Sequence, residues 1–433
     1  MKRILSTELA QHAGERVMVA GWLHRLRRLG GINFLALRDG WGILQAVIDD
    51  PSELAKLAPL ADESVLSIEG VVTEEAQAPG GYELRQCRVH VLVAVEEPPP
   101  FELNKRVLKP NLDVFLDHAA VGLRHPQKRA IFHLGAGVMH AFRSYLRSER
   151  FTEIQSPKLV GTATEGGANV FPVDYLGRTA YLAQSPQFYK QIMVGVYERV
   201  FEVGPVFRAE PHNTARHLNE YVSLDAEMGF IHDHHDVMAV VTGVILAILS
   251  HLGTDHQEAL ALLGVQLPRA LESFPSIYFP EALRLVGEAL GQNLEGELDL
   301  APEHERWLGT WAQEQFGSDF LFVTGYPMAK RPFYTHPNPA DPAYSNSFDL
   351  LFRGTELVTG GQRLHRYGEY IQALEARNLN PGDFAGYLQA FRHGMPPHGG
   401  FAIGLERFLM QLLGLSNIRE TTIFPRDLTR LSP

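Results

Sequence analysis

The sequence predicts an α+β protein with two domains, a small N-terminal barrel of five β-strands and a larger domain in which helices flank an antiparallel sheet. Three observations support this prediction. Residues 15–97 form short apolar runs separated by Gly-Gly and Asp-Gly turn signals, a segment rich in proline and charge follows at 96–111, and the later strand signals are not separated by regular helices. A chain of 433 residues is long enough for two or three domains.

The barrel is predicted from five strand-like runs with one helix between the third and the fourth. The strands are "RVMVAGWLHRL", "INFLALRD", "GILQAVIDD", "SVLSIEGVVTEEAQ" and "YELRQCRVHVLVAV". The helix is "PSELAKLAPLA", for which we expect Ser52 to be the N-cap. This order is that of an OB-fold barrel, which commonly binds single-stranded nucleic acid on one face, although a barrel without a ligand has the same pattern. We assign residues 1–103 to this domain.

The rest of the chain is predicted to be a hinge at 104–126 and a second domain at 127–433. Helix signals occur at 127–149 and 235–252, and strand signals occur at 198–208, 221–231, 319–325, 346–352 and 400–404. Residues 253–315 look like a helical insertion. Because regular helices do not alternate with the strands, an antiparallel sheet with helices packed around it fits better than a doubly wound parallel sheet.

Composition narrows the classes of protein. The single cysteine, Cys87, excludes an intramolecular disulfide and predicts a reducing compartment. We find neither a signal-peptide apolar region nor an 18-residue apolar span, and we therefore expect a cytoplasmic protein. The net charge of −11 argues against a broad nucleic-acid-binding surface, and the basic run "HRLRR" at 24–28 would confine any phosphate contact in the barrel to a stripe.

A polar loop between two apolar strands, "PVFRAEPHNTARHLNEYVSLDAEM" at 205–228, carries the first chemical signal. Arg208, Arg216 and His217 can hold a polyphosphate, while Glu210 accepts a hydrogen bond from an amino group and Tyr221 stacks on a base. A surface hairpin with salt bridges would explain the same residues.

Two further segments carry groups that suit a polyphosphate. In "PPHGGFAIGLERFLMQLLG" at 396–414, a glycine-rich strand leads into an amphipathic helix with Arg407 in its first turn. In "SNSFDLLFRGTELVTGGQRLHR" at 345–366, Asp349 and Glu356 stand seven residues apart about a glycine turn. Paired carboxylates beside a polyphosphate suit Mg²⁺, which prefers oxygen ligands.

Two cations have no obvious carboxylate partner in the sequence. Lys190 follows the polar cluster of "LAQSPQFYKQ" at the start of a predicted apolar helix, and Arg363 lies in the same block as the paired carboxylates. We interpret them as groups that bind a ligand carrying a carboxylate. In contrast, the tract "HDHHD" at 232–236 resembles a metal site but begins the long predicted helix, and we interpret it as structural.

Together with Pro157 in "ERFTEIQSPKLV", these segments resemble motifs 1, 2 and 3 of the class II aminoacyl-tRNA synthetases over essentially the whole chain. The runs "QSPQ..K", "TEGG" and "FDLLFRG.E…GGQR" are similar to those of aspartyl-tRNA synthetases of the compact archaeal and eukaryotic type, with features of the non-discriminating enzymes. The resemblance implies ATP-dependent attachment of L-aspartate to tRNA(Asp) through an aspartyl-adenylate. It also implies Mg²⁺ as cofactor and a homodimer built by the Pro157 motif.

The resemblance assigns the nucleotide-binding residues. Arg208 is the catalytic residue and contacts the α-phosphate and the substrate carboxylate, Glu210 reads the adenine amino group, and Tyr221 stacks on the ring. The outer phosphates are held by Arg216, His217 and Arg407, and the remaining predicted ATP contacts are Leu218, Glu356, Gly404, Leu405 and Glu406. Mg²⁺ is bound by Glu356 and Asp349, with Thr359 where the family usually has serine.

The resemblance also assigns the aspartate-binding residues. Lys190 and Arg363 pair with the β-carboxylate of aspartate, and Asp225 with Gln187 takes the ammonium group. Glu165 lies on a loop that closes over the amino acid. The rest of the aspartate set is Gln184, Ser185, Arg208 and Thr359.

In the barrel, Phe34 stacks on an anticodon base, Arg27 contacts phosphate or base, and Gln45 contacts a base edge. From its pattern alone, Phe34 is better explained as a core residue of the second strand. His24, just after the first "GW", and Pro79, between the fourth and fifth strands, resemble the pattern of non-discriminating enzymes. Those enzymes charge tRNA(Asn) as well as tRNA(Asp), and the product on tRNA(Asn) then passes to an amidotransferase.

Three alternatives share parts of the pattern. An asparaginyl-tRNA synthetase has the same fold and motifs. The side chain of asparagine is neutral, however, so a site for it does not need a second cation. A non-catalytic synthetase-like paralogue would be expected to have lost part of the set Arg208, Glu210, Glu356 and Arg407. Aspartate-ammonia ligase shares the catalytic fold and has no need of an anticodon-binding barrel.

Overall fold

The computed structural model describes residues 2–29, 31–161, 169–211, 214–269 and 271–432. The chain divides into two compact units, Met1–His125 and Pro126–Pro433. Each unit has its own buried apolar core.

The first unit contains a closed barrel of five strands in the order β1-β2-β3-β5-β4. The strands are β1 (Arg16–Leu29), β2 (Ile32–Arg38), β3 (Ile43–Ile48), β4 (Val65–Glu74) and β5 (Tyr82–Val93). Along the first half of β1 every second side chain is buried, which is the period of a strand with one face on a core. This is the predicted OB-fold barrel.

Helix α1 (Pro51–Leu57) lies between β3 and β4, as predicted. The expected N-cap was wrong, because Asp50 accepts the hydrogen bond from the backbone N–H of Ser52 at 2.8 Å. The aspartate precedes a proline at the first helical position, where a missing N–H costs nothing.

The segment 104–126, predicted as a hinge, carries two short helices, α2 (Leu112–Asp117) and α3 (Ala119–Gly122). The side chain of Asn111 caps α2 by accepting the N–H of Val114 at 3.0 Å. Phe115 and Leu116 of α2 are buried. The segment is therefore packed, although the proline and charged residues upstream of it are typical of a linker.

The second unit is built on an eight-stranded sheet in the order β12-β13-β14-β15-β16-β11-β10-β6. Its strands are β6 (Thr152–Glu153), β10 (Arg199–Phe207), β11 (Glu220–Gly229), β12 (Ser276–Tyr278), β13 (Phe320–Thr324), β14 (Ser347–Phe352), β15 (Glu356–Gln362) and β16 (His398–Gly404). The interior pairs are antiparallel as predicted, but the pairs β12–β13 and β6–β10 at the two edges are parallel. A small sheet in the order β7-β9-β8 is formed by β7 (Leu159–Val160), β8 (Pro172–Tyr175) and β9 (Arg178–Leu182).

Helices flank this sheet. They are α4 (Pro126–Ser148), α5 (Gln187–Tyr197), α6 (His234–Asp255), α7 (Gln257–Leu263), α8 (Phe279–Leu290), α9 (Pro302–Phe316), α10 (Tyr367–Glu375), α11 (Ala385–Arg392) and α12 (Leu405–Leu413). The interval 253–315, predicted as a helical insertion, also contributes strand β12 to the main sheet, where it pairs with β13. The side chain of Ile277 on β12 is buried in an apolar cluster with Leu321 and Val323 of β13.

Helix α6 contradicts the sequence prediction that the chain has no 18-residue apolar span. An 18-residue window of this helix has a mean hydropathy of 2.0, long and apolar enough by composition to cross a membrane. Half of that window is buried inside the protein, and Val241, Ile245 and Ile248 are fully buried in the core of the second unit. A helix that is apolar on most sides is expected at the centre of a large core.

Candidate active site

The hairpin β10–β11 brings the first group of predicted site residues together. The register pairs Phe207 with Glu220, so that Arg208 leaves the end of one strand next to Tyr221 on the other. The guanidinium carbon of Arg208 lies 5.9 Å from the centre of the Tyr221 ring, within the range of a cation–π contact. Asn219 fixes the base of the loop, since its side chain donates to the Arg208 carbonyl at 2.7 Å.

Glu210 lies between Arg208 and His217 of this loop. Its carboxylate is 3.9 Å from Nη1 of Arg208 and 3.3 Å from Nε2 of His217. The other ring nitrogen of His217 contacts the hydroxyl of Thr214 at 2.6 Å. The loop therefore places an arginine, a histidine and one carboxylate acceptor close together.

A cavity of about 280 Å³ is lined by nearly all the predicted ATP-binding residues. These are Arg208, Glu210, Arg216, His217, Leu218, Tyr221, Glu356, Gly404, Glu406 and Arg407. Leu405 does not line it and is buried. The lining also includes residues that sequence reasoning missed, namely Ser223, Leu357, Ala402 and Ile418, whose types carry no signal for a nucleotide.

The side chain of Glu406 binds the protein backbone. Both of its oxygens lie 3.1 Å from the N–H of Val222, next to Tyr221 on β11. Burial raises the pKa of this carboxyl to about 7. Glu406 thus ties the start of α12 to the strand that carries Tyr221.

Two of the predicted metal ligands, Glu356 and Thr359, line the cavity, and the third, Asp349, lies beside Thr359. Asp349 faces Thr359 in the β14–β15 register, and the Thr359 hydroxyl donates to Glu356 Oε1 at 3.2 Å. Arg407 Nη1 contacts the carbonyl and Oε1 of Glu356 at 3.1 and 3.3 Å. Two carboxylates and a hydroxyl offer the oxygen ligands that fit Mg²⁺.

Two residues near these ligands were missed by sequence reasoning. Arg331 lies 3.0 Å from Asp349. Burial raises the pKa of Asp349 to about 6, although the positive charge of Arg331 acts in the opposite direction. Glu305 on α9 accepts the N–H of Glu356 at 3.3 Å, and burial, then the charge of Glu356, raises the pKa of Glu305 to about 7. Both come from segments without a recognisable motif, so only the packing of the sheet reveals them.

Lys190 and Arg363 have carboxylate partners, and the prediction that they lack them was wrong. Lys190 Nζ lies 3.0 Å from Asp225 and 3.4 Å from Glu227, and it donates to the carbonyl of Phe401 at 3.3 Å. Arg363 Nε donates to Glu227 Oε1 at 3.0 Å. These pairs could not be predicted because the carboxylates lie on β11, a strand that follows Lys190 by more than 30 residues. Lys190 is also buried, whereas a lysine on a helix is usually exposed.

Glu227 joins the two cations. Its side chain is fully buried, and the charges of Arg363 and Lys190 lower its pKa against the opposing effect of burial. Gly400 makes room for it, because a Cβ there would collide with Glu227 Oε2. The strand period of two, which puts Asp225 and Glu227 on one face of β11, was the signal in the sequence that could have found it.

A second polar layer lies against this cluster. Gln191 Nε2 contacts the Tyr370 hydroxyl at 3.1 Å and His398 Nε2 at 2.9 Å, and Tyr387 donates to Gln191 Oε1 at 2.9 Å. Burial lowers the pKa of His398 to about 4, so the ring is neutral near pH 7. Its Nδ1 lies 2.9 Å from a backbone carbonyl and therefore carries the proton, which leaves Nε2 as the acceptor. The backbone N–H of Arg363 donates to the His398 carbonyl at 2.9 Å.

The other predicted aspartate-binding residues precede α5. The Ser185 hydroxyl accepts the N–H of Gln187 at 3.1 Å and so helps to begin the helix. Gln187 Nε2 and Gln184 Oε1 are buried without a hydrogen-bond partner among the residues that the structure describes, as expected for groups that meet a polar ligand. Thr359 lies with the metal ligands, and Glu165 falls outside the described residues.

Ser223 connects the two halves of the site. Its hydroxyl donates to Asp225 Oδ2 at 2.5 Å, and it also lines the cavity that holds the predicted ATP contacts. The buried charge cluster and the cavity are therefore adjacent along β11.

In the barrel, three of the predicted tRNA contacts lie together. Arg27 pairs with Phe34 across β1 and β2, and Arg27 donates to Gln45 on β3 at 3.3 Å. Phe34 is partly exposed, so it is available for stacking. His24 lies at the bulge where the β1–β2 register shifts, and burial lowers its pKa to about 4. Pro79 is exposed and begins a short turn between β4 and β5.

A cavity lined by basic and acidic side chains lies on a mostly antiparallel sheet beside a buried cluster of charges, and comparisons with known proteins identify the class. Residues 111–428 match the tRNA synthetases class II (D, K and N), and residues 17–92 match the OB-fold nucleic acid binding domain. The chain belongs to the class II tRNA synthetases (D, K and N).

Particular relatives are similar over the full chain. The Aspartate--tRNA(Asp/Asn) ligase of Deinococcus radiodurans is 47% identical over 100% of this chain and 99% of its own length. The protein of the same name from Thermus thermophilus is 47% identical over 100% of both chains. Among solved structures, asparaginyl-tRNA synthetase from Pyrococcus horikoshii complexed with asparaginyl-adenylate has a TM-score of 0.90 at 30% identity, with 100% of both chains covered.

Proposed function

We propose that this protein attaches L-aspartate to tRNA(Asp), and also to tRNA(Asn), by way of an aspartyl-adenylate formed from ATP. The observation that carries the proposal is the buried pair of cations, Lys190 and Arg363, which connects to the cavity through Asp225 and Ser223. The names of the relatives from Deinococcus and Thermus support the same substrates.

The residues of the cavity suit adenylate formation without a general base. The α-carboxylate of aspartate is already a nucleophile, and its oxygen forms a bond to the α-phosphorus as the bond to pyrophosphate breaks. Arg208 neutralises charge at this phosphate, while Arg216, His217 and Arg407 hold the outer phosphates. Positioning and electrostatic stabilisation then supply the rate. In the second step the acyl group passes to a hydroxyl of the terminal ribose of tRNA, and AMP leaves.

Mg²⁺ fits the oxygen atoms of Asp349, Glu356 and Thr359. When bound, the ion neutralises phosphate charge and orients the triphosphate. Glu305 supports the first residue of β15 through its hydrogen bond to the Glu356 N–H, and Arg331 holds Asp349 in place.

The charge balance of the inner pocket favours aspartate over asparagine. Two cations, Lys190 and Arg363, face two carboxylates, Asp225 and Glu227, all buried. When the substrate ammonium takes Asp225, Lys190 loses part of its compensation, and the β-carboxylate of aspartate restores it. Asparagine leaves a buried cation short of a partner, a difference that supports roughly 10⁴-fold discrimination.

For tRNA, we propose that Arg27, Phe34 and Gln45 contact the anticodon and that His24 and Pro79 decide whether tRNA(Asn) is accepted. Because His24 is neutral near pH 7, it would act through a hydrogen bond or its shape and not through a charge. The product on tRNA(Asn) would be the substrate of a separate amidotransferase. We further propose a cytoplasmic homodimer formed through the segment that contains Pro157.

Aspartate-dependent exchange of labelled pyrophosphate into ATP tests the first step. We expect exchange with aspartate and at most a trace with asparagine; exchange that depends on asparagine instead would assign the protein to asparaginyl-tRNA synthesis. Absence of exchange with either amino acid would leave a non-catalytic paralogue.

Charging purified tRNA(Asp) and tRNA(Asn) with labelled aspartate tests the second step. Product on both tRNAs supports the non-discriminating function. Product on tRNA(Asp) alone would remove the tRNA(Asn) part of the proposal and leave the rest intact.

A further inference from the structure

The C-terminal segment, residues 417–427, contacts the loop of residues 214–219, which directly precedes β11. Arg216 and His217 of this loop line the candidate nucleotide cavity and are assigned above to the outer phosphates of ATP. Of the C-terminal segment, which the structure describes in full, only Ile418 lines the cavity. The link of the later residues to a bound nucleotide is therefore indirect.

Two hydrogen bonds from the C-terminal segment hold the beginning of the 214–219 loop. Nη1 of Arg419 donates to the Thr214 carbonyl at 3.3 Å. The N–H of Ile418 donates to the Ala215 carbonyl at 2.8 Å. Two neighbouring carbonyls of the loop are thus held by two neighbouring residues of the C-terminal segment.

A further hydrogen bond holds the end of the loop. The N–H of Asn219 donates to the carbonyl of Arg426 at 2.8 Å. Asn219 also contacts the predicted catalytic residue, because its carbonyl accepts the N–H of Arg208 at 2.9 Å and its side chain donates to the Arg208 carbonyl at 2.7 Å. Arg426 is therefore linked to Arg208 through a single residue.

The side chain of Thr214 contacts both predicted phosphate ligands of the loop. Its hydroxyl accepts the N–H of Arg216 at 3.2 Å and lies 2.6 Å from Nδ1 of His217. Because the carbonyl of the same threonine accepts a hydrogen bond from Arg419, the position of Arg419 influences that of both ligands.

An ion pair fixes Arg419 itself. Its Nε donates to Oδ2 of Asp427 at 2.5 Å, and the two side chains are 10% and 3% exposed. Burial acts to raise the pKa of Asp427, but hydrogen bonds from Arg419 and Thr429 lower it to about 2, so the carboxylate is charged at neutral pH. The planar guanidinium of Arg419 thus donates to the carboxylate with one nitrogen and to the loop with another.

Anchoring of the loop should matter for the outer phosphates more than for the rest of a nucleotide. Loops are more mobile than the strands they connect, and ordering a loop when a ligand binds reduces the affinity. Cations that are already held in place bind the outer phosphates without this loss. Glu210 and Tyr221, which are predicted to contact adenine, lie outside the 214–219 loop.

We propose that Arg419, held by Asp427, is a positioning residue that keeps the 214–219 loop in the arrangement in which Arg216 and His217 meet the outer phosphates of ATP. This inference rests on the proposed function, which assigns those phosphates to the loop. Arg419 and Asp427 do not line the cavity and act through the loop backbone.

Equilibrium binding of ATP and of AMP to the full-length protein, each with Mg²⁺, tests the proposal, because AMP lacks the outer phosphates. We expect Arg419→Met to raise the Kd for ATP by about tenfold or more and to change the Kd for AMP by less than about twofold. Unchanged AMP binding also shows that the variant is folded. Asp427→Asn, which keeps the volume of the side chain but removes its charge, should change the two Kd values in the same directions. The double variant should be little worse than Arg419→Met alone, because the two residues act together.

Arg353→Met is the matched control. Arg353 also pairs with an aspartate, Asp319 at 3.5 Å, and donates to backbone carbonyls, those of Gln411 and Leu412 at 3.3 Å, but it does not contact the 214–219 loop. Both Kd values should be unchanged in this variant.

Pyrophosphate exchange provides the kinetic measurement. Arg419→Met should raise the KM for ATP and leave the KM for aspartate unchanged, a difference that a general loss of stability would not produce. Equal weakening of ATP and AMP binding, or unchanged ATP binding in Arg419→Met, would overturn the positioning role. Absence of aspartate-dependent exchange in the wild type would instead overturn the proposed function, and the comparison of ATP with AMP would still decide the role of Arg419.

Discussion

Glu227 accepts a hydrogen bond from Arg363 at 3.0 Å between Oε1 and Nε, while its other oxygen lies 3.4 Å from Nζ of Lys190. A single buried carboxylate thus sets the separation of the two cations that we assign to the substrate side chain. Lys190 and Arg363 lie far apart along the chain, on or next to different elements of the second unit, and Glu227 contacts both of them.

Substitution Glu227→Gln should disrupt aspartate recognition more than ATP recognition. The substitution removes the buried charge that positions both cations, so we expect kcat/KM for aspartate in pyrophosphate exchange to fall by about 100-fold. The KM for ATP should change little. Glu63→Gln, which breaks the buried Arg38–Glu63 pair at 2.7 Å in the barrel, controls for a general loss of stability. An equal change in both KM values would contradict the role.

Lys190→Met should impair aspartate activation while preserving ATP binding. Methionine fills a similar volume but cannot pair with a carboxylate, so aspartate should lose most of its advantage over asparagine. The measurement is pyrophosphate exchange with each amino acid, together with equilibrium binding of ATP. Lys128→Met, which removes a lysine paired with Glu420 at 2.9 Å, is the control. If ATP binding alone collapses in Lys190→Met, its assignment to aspartate is wrong.

Glu356→Gln and Asp349→Asn should raise the Mg²⁺ concentration needed for half-maximal pyrophosphate exchange, by roughly 10-fold or more, because each removes a charged oxygen ligand. Chelation of Mg²⁺ should abolish exchange in the wild type. Glu303→Gln on α9 removes a half-exposed carboxylate from the helix that carries Glu305 and should leave the Mg²⁺ requirement unchanged. An unchanged requirement in Glu356→Gln would exclude it as a ligand.

Glu406 should make stability fall as the pH rises above 4.5. Its pKa is raised from 4.5 to about 7 in the folded protein, so the carboxyl of the unfolded chain ionises first as the pH rises. The free energy of unfolding therefore falls by up to roughly 3 kcal/mol between these two pH values. Below pH 4.5 the carboxyl is protonated in both states and contributes nothing. Glu406→Gln keeps the acceptor for the Val222 N–H and has no such dependence. Denaturant unfolding from pH 4.5 to 7.5 measures the difference, and parallel curves for the two proteins would refute the shift.

Phe34→Ala should weaken tRNA recognition without affecting adenylate formation. Stacking of a base on an aromatic ring is worth about 1–3 kcal/mol, so we expect KM for tRNA to rise between about 5-fold and 150-fold. Pyrophosphate exchange, which needs no tRNA contact with the barrel, should be unchanged. Leu92→Ala removes another exposed apolar side chain of the barrel, 55% exposed, as a control. Equal KM values for wild type and Phe34→Ala would place Phe34 among structural residues only.

Much of the fold could be predicted because the signals are local. Strand alternation in β1, turn residues between strands and a helix after β3 predicted the barrel, and the predicted strands at 198–208, 221–231 and 346–352 match β10, β11 and β14 closely. The parallel edge strands β6 and β12 could not be predicted. They are two and three residues long, and their direction depends on which distant strand each one pairs with.

The nucleotide side of the site was similarly accessible, since Arg208, Glu210, Tyr221 and Arg407 stand in recognisable motifs that converge on one cavity. The partners of the predicted metal ligands Asp349 and Glu356 were not accessible in this way. Arg331 contacts Asp349 and Glu305 contacts Glu356 across segments that are separated by many residues.

The sequence by itself determined the class of fold, the family and the residue types that line the candidate nucleotide cavity, because hydrophobic period, turn chemistry and motif spacing are local properties of the chain. Only the tertiary structure decided that Lys190 and Arg363 share Glu227, and that the ring of His256 lies against Gly137. Burial makes an uncompensated charge costly, so each buried cation must find a partner in space, and the identity of that partner is set by the packing of strands and helices and not by their order.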